Sequence, residues 1–463
     1  MILNRRNKNP LDRDFYKNIL HIATPIALAQ LLTSLLAVVD AFMVSSLGVI
    51  AVAAVGVAAS YTFLMIIVLF GFFSGLGIFI AQYWGSKEIE NVQKVFAISL
   101  VIAVSIGLLF FGFAFFFTDT LIGIFNNGAD VEDALMLEQF ARNYLKIASW
   151  SYMLLAINFS INMVMRSIEK VWYPQIVMAG IVLINTVLNY LLIEGNYGFT
   201  ALGIEGAAIA TLISSFVGTI FLLGYVIVSH HEVFMIKLSI LKHISLGFIK
   251  KVFIKAGPVA INETLWGLGM TFYLIAFGFI STDAIASIQI SNLIMGLFWV
   301  VNAGIGSASA IMIGKKLGEN NLDVAKHWGD KVTKLVVYVG IFLGIVLFFT
   351  SDFIASSFTE ITPEVKSNVS QILKIFAIYL PIKFTNAQQI TGTLRSGGDT
   401  RYSMYTEVFA LWLIGVPLAF ILCLYTALPL YMIILIINVE EVIKVIVLIR
   451  RFKTYKWVKN LTV

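Results

Sequence analysis

One carboxylate, Asp40, stands inside the apolar stretch 24–48, TPIALAQLLTSLLAVVDAFMVSSLG. A charge there costs ~2.5–3.5 kcal/mol on insertion scales, so an acid held in such a segment usually faces a cavity or pathway. An acid near a helix end that only reaches water is the plainer alternative. Asn185 and Asn189, spaced i and i+4, fall on one helix face, and Thr211 follows in GAAIAT. Asp40, the two amide oxygens and the Thr211 hydroxyl make a hard-oxygen set suited to a proton or a small cation. Their structural alternative is interhelical hydrogen bonding, ~0.6–2 kcal/mol per contact.

A second acid, Glu263, lies five residues after Pro258 in GPVAINETLWGLGM, beside Asn262 and Trp266. An acid with an aromatic wall suits a lipophilic organic cation, through charge pairing and cation–π contact. Glu263, Gln30, Tyr273, Trp266 and Gln289 form the candidate substrate-binding set. Pro25 and Pro258 each remove a helix hydrogen bond and are candidate bending points. Lys383 and Glu407 are the other charges within apolar sequence. Glu440, Glu441 and Lys444 have the spacing for same-face pairing, and long side chains near a helix end are expected to reach the interface.

Catalytic chemistry has little support. The five histidines lie at segment ends or in loops without metal-ligand spacing, and no phosphate-cradling Gly-Lys loop occurs. The single cysteine, Cys423, excludes an intrachain disulfide. The chain reads as not an enzyme, with no cofactor beyond a coupling ion.

These residues must be positioned by membrane helices. The 463 residues are 59% hydrophobic and 13% charged, far from the ~45–50% and ~25% of soluble domains. About twelve spans, each ~20 residues or longer, are predicted at 16–46, 51–83, 93–117, 137–164, 172–193, 204–229, 250–280, 284–315, 331–351, 366–394, 402–424 and 427–449. The polar N-terminus is too long for a signal peptide, so the first span is expected to be retained.

Basic residues alternate between loops. Arg5, Arg6, Lys8 and Arg13 precede the first span; Lys87, Lys94, Arg166, Lys170, Lys237, Lys242, Lys315, Lys316, Arg395 and Arg401 occupy every second loop; Arg450, Arg451, Lys453, Lys456 and Lys459 close the chain. The loop 118–136 carries Asp119, Asp130, Glu132 and Asp133 and no base. This positive-inside pattern puts both termini in the cytoplasm of a multi-pass protein of the cell membrane, and accounts for the net charge of +6 without nucleic acid.

The chain also repeats. A shift of 233 aligns 51–90 with 284–323 without a gap, placing Gly85 on Gly318, Pro25 on Pro258, Gln30 on Glu263 and Asp40 on Tyr273. A shift of 229 places MRSIEKVWYP on LRSGGDTRYS, with Arg166 on Arg395. Two six-span halves in parallel orientation are a transporter layout. The predicted organisation is a cytoplasmic arm 1–15, a lobe 16–229, a linker 230–249, a lobe 250–449 and a tail 450–463, an all-α polytopic fold with twelve transmembrane helices.

VVDAFMVSSLG, AVAAVG, NTVLNYLLI with GIEGAAIAT, and LRSGGDTR resemble the multidrug and toxic compound extrusion (MATE) family over nearly the whole chain. The resemblance implies two six-helix lobes around a V-shaped central cleft, and export of lipophilic or cationic drugs in exchange for H+ or Na+. It implies coupling at Asp40, with Asn185, Asn189 and Thr211 near it, and bending at Pro25. In one branch of the family an acid stands where this chain has Asn189; in the NorM-like branch an acid near the start of span ten is replaced here by Lys383. The expected function is a secondary antiporter, acting as a monomer among membrane lipids. A lipid-precursor flippase of the same architecture is the alternative; it calls for a cluster of bases inside the first lobe.

Overall fold

The computed structural model describes residues 10–123, 131–358 and 361–463. Arg5, Arg6, Lys8 and Asp130 of the charge pattern lie outside them. Among the described residues there is no strand. The principal helices are α1 (Pro10–Ser45), α2 (Val49–Gly85), α3 (Ile89–Phe116), α4 (Val131–Ala148), α5 (Trp150–Ser167), α6 (Trp172–Leu192) and α7 (Ile204–Val228), followed by α8 (Leu246–Gly278), α9 (Thr282–Gly318) and α10 (Leu322–Ser357). The last are α11 (Pro363–Gln388), α12 (Thr400–Phe409), α13 (Val416–Tyr425), α14 (Leu430–Ile437) and α15 (Val439–Lys453).

Twelve spans account for these helices when α4 with α5, α12 with α13, and α14 with α15 are each taken together. Among the described residues, eight helices are long and apolar enough to cross a membrane, and the α4–α5 pair, bent by 48°, makes nine. The remaining three are diluted or broken. Asn262 and Glu263 interrupt α8, Lys374, Lys383 and Asn386 interrupt α11, and α14 gives way to α15 at Asn438. Pro25 and Pro258 both lie inside continuous helices.

The chain divides into two compact units. One comprises Leu28–Ile80 and Glu88–Phe253; the other comprises Met1–Ala27, Ala81–Lys87 and Ile254–Val463. The division therefore falls inside α1, two residues after Pro25, and takes the first half of α1 and the end of α2 into the second unit. Proline leaves the carbonyl four residues earlier without its helix partner, which makes this a natural weak point in α1.

In the first unit, small residues let helices close up. A Cβ on Gly206 would stand 2.6 Å from the Leu192 carbonyl oxygen, so α7 meets the end of α6 backbone to backbone. Val44, Ala51, Ala54, Ala58, Ile193, Ile204 and Ala207 share one apolar cluster that seats the end of α1 near α6 and α7. The linker is packed: Gln93 on α3 donates to the carbonyls of Glu232 and Met235, and the buried Phe234 meets Phe96 edge-on.

In the second unit, the chain end is built into the fold. Trp457 is fully buried and stacks on Phe452, and the Arg451 guanidinium forks onto Asp399 at 2.7 and 3.0 Å. Gln82 donates to Ser396 O at 2.8 Å and accepts from the Leu461 amide at 2.6 Å.

Candidate functional site

The first unit assembles the oxygen set around Asp40. Asn189 Nδ2 donates to Asp40 Oδ1 at 2.7 Å and lies 3.1 Å from Asn185 Oδ1. Asn185 Nδ2 lies 3.3 Å from Thr211 Oγ1 and 3.5 Å from Ser214 Oγ. Turned over, the Asn185 amide instead donates to Asp40 Oδ1 at 3.2 Å. Both asparagines are buried, Asp40 is partly buried, and Asn189 Oδ1 is enclosed without a hydrogen-bond partner. An enclosed, unpaired acceptor is costly to leave unsatisfied. The i, i+4 spacing on α6 brings both amides to the acid of α1, and the close α6–α7 approach brings Thr211.

Sequence reasoning missed two members of this set. Tyr144 on α4 reaches Thr211 and lies within electrostatic range of Asp40. A hydrogen bond from Asn143 to Glu205 at 2.9 Å ties α4 to α7 beside Tyr144. Ser214 sits one position short of a helical turn beyond Thr211, a spacing that could have signalled it.

The candidate substrate residues are arranged differently from expectation. Glu263 is not an open acid beside an aromatic wall: Arg395 Nη2 stands 2.6 Å from its Oε1, and both side chains are largely buried. Its counter-charge is thus supplied from within. Arg395 lies in the short helix Leu394–Ser396 and is buried there. Trp266 packs against the apolar core of the second unit. Tyr273 is buried, and a Cβ on Gly415 would overlap both its hydroxyl and Glu440 Oε2. Gln30 and Gln289 are exposed.

Around Glu263 the second unit holds a wider polar network. Asn262 donates to Glu407 at 2.6 Å, Asn386 to Glu441 at 2.7 Å, and Lys444 lies 3.0 Å from Glu441 and 3.5 Å from Glu440. The i, i+3 and i, i+4 pairing of Lys444 is as the spacing predicts, but the group is buried and does not reach outward. Lys383 lies within range of the same acids and over the Phe376 ring, 4.8 Å from its centroid. Two π-helical turns, Gln389–Thr393 and Ala410–Gly415, flank this network. Such turns are frequent at functional sites because they free backbone groups and re-aim side chains. Among the described residues, no group of three or more His, Cys, Asp or Glu side chains could hold a metal ion.

Residues 25–191 and 258–421 match the MatE family model, once in each half. A probable multidrug resistance protein NorM of Bacillus cereus is 28% identical over 353 residues, covering 75% of each chain. The uncharacterized transporter YisQ of Bacillus subtilis is 23% identical over 456 residues, covering 98% of this chain and 97% of its own. A solved structure described as an outward-facing multidrug resistance MATE family transporter superposes with a TM-score of 0.83 at 20% identity, covering 96% of this chain and 97% of that one.

Proposed function

We propose, for a chain that belongs to the MatE family of transporters, an antiport mechanism in which lipophilic or cationic organic compounds are expelled and Asp40 carries the exchanged cation. The observation that supports this most is the single carboxylate of α1 meeting two amides, with the Asn189 oxygen enclosed and unpaired beside it. Several relatives are named probable multidrug resistance proteins. Extrusion by this chain is read from that likeness.

The donor set fits a monovalent cation. One carboxylate with amide and hydroxyl oxygens matches the charge of a proton or a sodium ion; a divalent ion would call for more acids. Asn189 donates to Asp40, a contact that suits the free carboxylate. Entry of a cation from outside would discharge Asp40 and weaken its hold on a cationic substrate. Each net elementary charge moved across 100 mV supplies about 2.3 kcal/mol; in a one-for-one exchange with a monocationic substrate no net charge moves, and the concentration gradient of the ion supplies the drive. The flippase reading finds less support, since among the described residues no base is hydrogen-bonded to Asp40, Asn185, Asn189 or Thr211.

The test is ethidium transport by the full chain in proteoliposomes, under separately imposed sodium and proton gradients. Wild-type protein should respond to one of them and Asp40→Asn to neither. Undiminished gradient-driven transport by Asp40→Asn would refute the mechanism.

A further inference from the structure

We propose that Arg166 and Gln175 form a binding site for a phosphate-type anion in the first unit. Arg166, in the last turn of α5, donates from Nη2 to Gln175 Oε1 at 3.2 Å. Gln175, near the start of α6, is only 5% exposed. The Arg166 Nε and the Gln175 Nε2 are enclosed and have no hydrogen-bond partner among the described residues. The remaining guanidinium nitrogen, Nη1, makes no hydrogen bond among the described residues and is not one of the enclosed atoms, so the fork stays open at that edge. No described carboxylate stands in an ion pair with this guanidinium. A charge removed from water without a partner is costly, and a counter-ion relieves that cost.

The internal repeat shows what is missing. Arg395 occupies the place of Arg166 in the second half and pairs with Glu263 at 2.6 Å. The position equivalent to Glu263 in the first half is Gln30. One half supplies its own anion; the other kept the base and has no acid at the matching place. The groups left over can only donate: Nε–H, the open Nη1 and the Gln175 amide. A planar fork of donors matches the oxygens of phosphate. The N-terminus of the 21-residue α6 adds partial positive charge.

The surroundings suggest the height of the site. Trp172, at the first position of α6, is 46% exposed; Tyr173 stacks on Tyr225 at 4.2 Å and donates to Phe221 O at 2.9 Å. Amphipathic rings of this kind gather at the lipid–water boundary. A lipid phosphate and a free phosphate present the same chemistry there.

The experiment follows the thermal unfolding midpoint of the full chain in neutral detergent. The probes are phosphatidylglycerol, inorganic phosphate, and diacylglycerol with the same acyl chains. Phosphatidylglycerol should raise the midpoint and diacylglycerol should not. A response to inorganic phosphate as well identifies a site open to free anion; its absence identifies a headgroup site; both support the proposal. Arg166→Gln should need at least tenfold more anion for the same shift, while the exposed Arg450→Gln should match wild type. Should Arg166→Gln fail to fold, Gln175→Glu keeps the base and installs the missing carboxylate. It should have a raised midpoint without anion and lose the anion response. An unchanged response in Gln175→Glu or Arg166→Gln, or equal stabilisation by diacylglycerol, would overturn the assignment.

Discussion

Gly85 and Gly318, equivalent positions of the two halves, meet the opposite helix in the same way. A Cβ on Gly85 would overlap the Lys315 carbonyl oxygen, and one on Gly318 would overlap the Gln82 carbonyl oxygen. Lys315 is itself the equivalent of Gln82 under the shift of 233. The ends of α2 and α9 therefore cross about a local two-fold, each glycine admitting the other helix's backbone. A backbone carbonyl cannot swing aside as a side chain can. Gly318→Ala should destabilise the protein by about 1–3 kcal/mol through overpacking. Gly112→Ala, with nothing within 4 Å of the added carbon, should be neutral. Unfolding midpoints in detergent compare the two; equal midpoints would contradict this packing.

The Glu263–Arg395 pair is expected to behave as one unit. Removing one partner strands a buried charge, at a cost of about 3–5 kcal/mol, whereas an apolar pair of similar volume can be close to neutral. Glu263→Gln should therefore be poorly stable, and Glu263→Leu with Arg395→Met should recover most of the loss. Additive effects in that double-mutant cycle, read by thermal unfolding, would show the two groups acting separately.

The chain end makes its own prediction. Trp457 fills space against Gly329, and its backbone carbonyl lies hard against Gly397. The same segment accepts from Gln82 through Lys459 O at 3.2 Å. Trp457→Ala should cost about 3–5 kcal/mol, as for other buried tryptophans. Protease digestion should then cut after Lys453, Lys456 and Lys459 faster than in wild type. Equal cleavage rates in the two proteins would mean that Trp457 does not hold this segment.

The fold was largely legible because each signal lay within a short window. Runs of apolar residues gave the spans, and the ungapped match of 51–90 with 284–323 gave the duplication. Asp40 with Asn185 and Asn189 was legible for a related reason. An acid in apolar sequence is conspicuous, and i, i+4 spacing puts two amides on one face before any tertiary contact is known. The partner of Glu263 was not legible, since Arg395 is 132 positions away and carries the charge expected of a loop. Tyr144 escaped notice because nothing in the sequence spacing relates it to Asp40, Asn185 or Thr211. The division of α1 after Pro25 follows from tertiary contacts that the helix pattern alone does not contain.

Asn189 supplies the sharpest test of the site as a unit. Its amide donates to Asp40 and touches Asn185, so it links the acid to the rest of the set. A hydrogen bond to a charged group contributes ~1.5–3 kcal/mol, which corresponds to roughly a tenfold to hundredfold change in an equilibrium. Asn189→Leu should therefore lower gradient-driven ethidium transport by at least about tenfold with normal protein levels in the membrane. Because both residues would serve one binding event, Asp40→Asn combined with Asn189→Leu should be no worse than Asp40→Asn alone. Initial transport rates of the four proteins, measured in parallel under one imposed gradient, complete the cycle. Wild-type rates in Asn189→Leu would remove Asn189 from the ion path and leave its contact with Asp40 a matter of helix packing.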